Sequence, residues 1–217
     1  MAKYVNEQQM IQNHEILFQN LTTNEEIQRV LTEYGYDDTE IREGKEILQK
    51  ASELYHKSIR EDQKELELYT KFKEEQSKLD TVYAEDRKKT RIVYKDKADV
   101  LKNLRMVGRG SRAIASVLED ITVFYNTLLL DEELRQPLER LKLTQESINQ
   151  QIAQLNKVKE AYGAYTNQKG IKQQATKDKN KGLQELEKWS KQLYSIARIA
   201  LAQKPQLLES LAKLVRS

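Results

Sequence analysis

DTEIREGKEILQKASELYHKSIREDQKELELYTKFKEEQSKLDTVYAEDRKKTRIVYKDKADVLK, running from Asp38 to Lys102, is the stretch on which the reading of the chain turns. It contains no proline, no asparagine, no cysteine and a single glycine, Gly44. Apolar residues recur at helical spacing: Leu48, Ala51, Tyr55, Ile59, Leu66, Tyr69, Phe72, Leu79, Tyr83, and later Tyr94 and Leu101. The period is that of an α-helix with a narrow seam, close to a heptad. Between seam positions the residues are charged, and an acid often precedes a base by four: Glu46 and Lys50, Glu53 and Lys57, Glu67 and Lys71, Glu74 and Lys78, Glu85 and Lys89. Each such pair supports a helix by roughly 0.2–0.5 kcal/mol. The stretch therefore predicts one very long, solvent-flanked helix.

Upstream, Val5 to Asn20 carries Met10, Ile11, His14, Leu17 and Phe18 on one face and predicts an amphipathic helix. Thr22-Thr23-Asn24 is placed to end that helix and cap a second, with Glu25 and Glu26 in its first turn, where acids suit the dipole. Gly35 is placed to stop that helix, and Asp37 or Asp38 to cap the long one. Downstream, Gly108-Arg109-Gly110-Ser111 is the clearest break. Helical patterns follow over Arg112–Leu129, after Asp131, over Gln145 to about Leu201 behind Thr144, and over Pro205–Val215.

The two halves correspond under one constant shift, without a gap. Glu25-Glu26 falls on Glu132-Glu133, Leu31 on Leu138, Ile41 on Ile148, Leu48 on Leu155 and Tyr55 on Tyr162. Leu79 falls on Leu186, Arg91-Ile92 on Arg198-Ile199, and Leu101 on Leu208. Caps and breaks fall in step as well as apolar positions, which argues for duplication. The expected organisation is a helical repeat over 1–110 and a second over 111–217, intertwined as one unit. The expected fold is all-α: two long antiparallel helices of about 55–60 residues forming a rod, with short-helix bundles at both ends, the pair Val5–Gly35 meeting Pro205–Val215 at one and the elements Lys97–Val107 and Arg112–Leu143 gathering at the other. The alternative is two four-helix bundles in series, each long stretch folded into a hairpin near Asp62 and near Gly170. Gly170, Asn180 and Gly182 favour the hairpin in the second copy.

Composition fits the helical reading. Of 217 residues, 33% are charged and 7% aromatic, with seven Gly and two Pro, so β-branched and aromatic runs have little place. The absence of cysteine excludes disulfides and thiolate metal sites. No apolar leader and no membrane-length apolar run is present, so a cytoplasmic setting is expected.

No nucleophile–base set, phosphate loop or dinucleotide fingerprint is present. His14 and His56, the two histidines, have no partner at metal-ligand spacing, and His14 sits on an apolar face that matches Ile121. No catalytic residue, cofactor, metal or small-molecule substrate is expected. Charge is more informative. Residues 1–86 hold 11 bases and 20 acids, whereas 87–217 hold 26 bases and 14 acids. One basic tract runs through Arg87, Arg91, Lys95, Lys102, Arg105, Arg109 and Arg112, and a second from Lys169 to Lys181. By the i, i+4, i+7 rule Arg87, Arg91, Lys95 and Lys102 would share one helical face as an anion or partner patch. The first long helix nets −5 over Asp38–Asp86 and the second +5 over Gln145–Leu201, so mutual neutralisation is the favoured reading.

The C-terminal run Ser195–Ser217, SIARIALAQKPQLLESLAKLVRS, resembles the ending of a group of uncharacterised all-helical bacterial proteins. The resemblance implies no activity. The functional expectation is a non-enzymatic scaffold or adaptor mediating protein–protein interaction, with a homodimer among its assemblies. The alternative is nucleic-acid or anionic-membrane-surface binding through the basic tracts.

Overall fold

The structure, a computed structural model, describes residues 6–107 and 113–212, the side chains of Ser210 and Ala212 excepted. The described residues form eight helices and no strand: α1 (Glu7–Thr23), α2 (Glu25–Thr32), α3 (Asp38–Val93), α4 (Ala98–Asn103), α5 (Ile114–Leu130), α6 (Glu132–Glu139), α7 (Gln145–Ala200) and α8 (Pro205–Ala212). The first residues of α1, α2, α3 and α4 fall on those of α5, α6, α7 and α8 under the same shift that aligns the two halves of the sequence. The first three pairs also agree in length, at 17, 8 and 56 residues.

Both long helices are unbroken. α3 runs through Asp62 and α7 through Gly163, Gly170 and Gly182, so neither folds into the hairpin of the alternative reading. Gly182 is a point of close approach: a Cβ there would lie 2.8 Å from Leu54 Cδ1 and 3.4 Å from Ala51 Cα.

The chain divides into two compact units. One holds 1–62 and 171–217; the other holds 63–170. In the first, Leu17, Leu21, Ile27 and Leu31 of the short helices close on Leu48 and Ala51 of α3, on Leu183, Leu186 and Leu193 of α7, and on Leu211 of α8. Asn24 caps α2, its side-chain oxygen accepting from the Glu26 and Ile27 amides at 3.1 Å each. Gly35, at φ +86°, ends the α2 turn, and the Tyr36 amide returns to the Leu31 carbonyl at 3.0 Å. Asp37 caps α3, accepting from Thr39 and Glu40 at 2.9 and 3.0 Å.

In the second unit, Leu118, Ile121, Phe124, Tyr125 and Leu128 of α5 pack against Leu79 and Tyr83 of α3, Val100 and Leu104 around α4, and Ile148, Leu155 and Val158 of α7. Asp131 caps α6 through the Leu134 amide at 3.0 Å. Thr144 and Ser147 cap α7 reciprocally, each side chain accepting the other's amide at 3.2 and 2.9 Å. The stretch Asp38–Lys102 divides: α3 stops at Val93, and the separate element expected at Lys97–Val107 is present as α4, Ala98–Asn103. No breaker marks the stop. Packing supplies it: Tyr94 turns inward, 3% exposed, and its hydroxyl donates to the Leu134 carbonyl at 2.6 Å. The chain then reverses to bury Val100 and Leu104 in the same core. The break expected at 108–111 and the start of the helix expected at Arg112 lie outside the described residues.

Candidate functional site

The basic tract does not form the single helical face its spacing suggests. Because α3 ends at Val93, Lys95 sits in the following turn and Lys102 on α4. Arg87 is half-buried; its guanidinium lies 5.5 Å from the centre of the Tyr83 ring, a cation–π distance. Arg91 donates to the Met106 carbonyl at 3.2 Å, tying the end of α3 to the chain after α4. These two arginines serve the fold. Lys95, Lys102 and Arg105 are exposed, and Arg105 holds a left-handed φ of +54°. Arg109 and Arg112 lie outside the described residues.

Charge pairing between the long helices runs in both senses. Asp62 of α3 meets Lys172 of α7 at 2.7 Å, the expected sense, whereas Lys50 of α3 meets Glu185 of α7 at 3.6 Å. α7 also reaches α1, where Lys179 meets Glu7 at 2.7 Å. Lys204 pairs with Glu26. Pairs as exposed as Lys50–Glu185 and Lys204–Glu26 are screened by water and are weak supports for the fold.

The described residues hold a polar node at Asp86, which pattern reading passed over, and another at His14, which it placed on an apolar face. In the second unit, Asp86 is 5% exposed. Its Oδ2 accepts from the Tyr125 hydroxyl at 3.0 Å and its Oδ1 from Lys89 at 3.1 Å. Burial raises its carboxyl above the usual value, against the lowering pull of Lys89 and Tyr125. The same burial, with Asp86 beside it, holds the Tyr125 phenol protonated far above its ordinary range. Thr90, also buried, donates to the Asp86 carbonyl at 2.8 Å. The signal was in the spacing: Asp86 and Thr90 fill the gap between Tyr83 and Tyr94 along the seam.

In the first unit, His14 joins α1 to α7. Its Nδ1 lies 2.7 Å from the Met10 carbonyl and its Nε2 2.8 Å from the oxygen of Ser190, whose one hydroxyl proton is directed at the Leu186 carbonyl, 2.6 Å away. Burial lowers the imidazole's pKa, opposed by the Met10 carbonyl and by Glu187. Nearby, Trp189 stacks on Phe18 with centroids 5.1 Å apart, meets Tyr36 edge-on at 5.9 Å and donates to Glu40 at 3.0 Å. A shallow groove beside it is lined by Tyr36, Glu40, Glu187, Lys188, Lys191 and Ser195. Its walls mix both signs of charge.

Among the described residues no group of three or more His, Asp or Glu side chains is placed to hold a metal ion. No helix among them is long and apolar enough to cross a membrane. Comparison with protein-family models, with curated proteins and with solved structures finds no match to this chain.

Proposed function

We propose that the chain is a non-enzymatic helical scaffold or adaptor for protein–protein interaction, acting in the cytoplasm. One observation carries the reading: two unbroken 56-residue helices, each shared between two compact units that have their own cores. At about 1.5 Å per residue each helix is on the order of 85 Å long. The proposed arrangement is an antiparallel rod with a short-helix bundle at either end. Such a molecule would hold two partners apart, or two copies of itself together.

The scaffold would descend from duplication of a ~107-residue helical repeat. The shared helix starts and lengths support this. So do buried residues that fall in step: Ile11 with Leu118, Leu21 with Leu128, Leu31 with Leu138, Leu79 with Leu186, and Leu104 with Leu211.

Affinity capture with the tagged chain, confirmed by reciprocal capture of each retained protein, tests the scaffold reading together with light scattering. The expected result is a defined partner or a stable homodimer. A strictly monomeric chain that retains no reciprocal partner contradicts it.

A further inference from the structure

We propose that the surface of the second unit around Ile92 and Val107 docks onto an anionic phospholipid surface. The inference goes beyond the scaffold reading and stands on separate observations. Ile92 is 70% exposed and Val107 62% exposed, although both are aliphatic. The Arg91–Met106 hydrogen bond, at 3.2 Å, ties the helical turn carrying Ile92 to the segment carrying Val107. The exposed bases Lys88, Lys95, Lys97, Lys102 and Arg105 lie on the same stretch of chain, with Asp96 and Asp99 as the exposed acids among them. Among the described residues, Lys88, Lys102 and Arg105 are in no ion pair, and Lys95 meets its chain neighbour Asp96 at 3.9 Å.

The first unit provides an internal comparison. At the equivalent position of the second half the apolar exposure recurs: Ile199 is 63% exposed and follows Arg198. Most of the charge does not recur. Lys97 falls on Lys204, but Lys88, Lys95, Lys102 and Arg105 correspond to Ser195, Ala202, Glu209 and Ala212. The exposed isoleucine thus belongs to the common framework, whereas these four bases belong to the second unit alone.

The chemistry selects the occupant. Aliphatic side chains ringed by bases match a lipid interface, where apolar groups sink below headgroups whose phosphates attract the bases. Nucleic acid would call for aromatic faces to stack on bases. Tyr94, the aromatic residue nearest in sequence, is buried and its hydroxyl is taken by Leu134. A helical peptide would call for an apolar groove, whereas side chains this exposed protrude.

The test is cosedimentation of the full chain with vesicles of phosphatidylcholine alone or mixed with phosphatidylglycerol. Binding is expected to the mixed vesicles at low salt and to be lost near physiological salt. Each base removed near an anionic surface weakens binding about fivefold, so Lys88→Ala, Lys95→Ala and Lys102→Ala together should weaken it about a hundredfold. Ile92→Asn should weaken it too, and Ile199→Asn should leave it unchanged. Circular dichroism checks that each variant is folded. No binding to the mixed vesicles at low salt overturns the proposal. So does undiminished binding by Ile92→Asn, above all if duplex DNA is bound equally well, since that describes a surface for polyanions in general.

Discussion

The indole of Trp189 lies so close over Gly44 that a Cβ on Gly44 would fall 2.4 Å from Cζ2 and 2.5 Å from Cη2 of the ring. The ring has little room to retreat. Phe18 stacks on it, Tyr36 meets it edge-on, and its Nε1 donates to Glu40. Gly44→Ala should therefore destabilise the protein by about 1–3 kcal/mol through overpacking. Gly163, also inside a helix, has no atom within 4 Å of where its Cβ would stand. Gly163→Ala should instead add about 0.5–1 kcal/mol through helix propensity. Thermal melts of the two variants should move in opposite directions.

A second pair of positions tests local backbone chemistry in the two units. Gly35 and Lys142 fall on each other under the shift that aligns the two halves, and both follow a short helix with positive φ, +86° and +63°. Glycine adopts that region freely, whereas a lysine there is strained by roughly 1–2 kcal/mol. Glycine's extra freedom in the unfolded chain offsets part of the gain. Lys142→Gly should stabilise by up to about 1 kcal/mol, and Gly35→Ala should cost about the same. Chemical denaturation of both variants measures this.

Asp86 makes stability depend on pH. Burial, the largest influence, raises its folded-state pKa above the ordinary value near 3.8. As pH rises from there the unfolded chain loses its proton first, so stability falls until pH passes the folded-state value. Asp86→Asn removes this dependence while keeping an acceptor for Tyr125, so it should melt at or above wild type at pH near 7. Asp86→Leu strands the Tyr125 hydroxyl and should cost about 1–3 kcal/mol. Equal losses in the two variants would show that the charge itself is needed.

His14 acts in the opposite sense. Burial lowers its folded-state pKa below the ordinary 6.5. As pH falls through about 6.5 the unfolded chain takes up a proton first, and stability declines down to the folded-state value. His14→Ile, the residue found at 121, should flatten melting temperature between pH 7 and 5. Ser190 keeps its bond to the Leu186 carbonyl, so little should be lost at neutral pH.

Much of this architecture was legible in the residues. Asn24, Gly35, Asp37, Asp131 and Thr144 each stand at a helix boundary because each has one local task, a cap or a left-handed turn. A separate element at Lys97–Val107 was legible from the repeat, but the exact end of α3 was not, because no breaker marks it and Tyr94 turns into the core there, its hydroxyl meeting the Leu134 carbonyl far along the chain. Pro205 marks the equivalent start in the second half, where Ala98 carries no such sign in the first. The glycines of α7 misled in the direction of a hairpin, since Gly182 serves close packing against Ala51 rather than a turn. The basic face failed for the same long-range reason: once the helix ends at Val93, the four-residue rule no longer places Lys95 and Lys102 beside Arg91. Asp86 was not singled out by the pattern of charges. Its helical register, two turns after Leu79, placed it on the buried seam.

Small-angle X-ray scattering from the monodisperse chain tests the central proposal, the rod built on α3 and α7, most directly. A compact chain of this length has a radius of gyration of about 17 Å. The proposed rod, with helices on the order of 85 Å long, predicts a value at or above about 25 Å for a monomer. A radius near about 17 Å would contradict it.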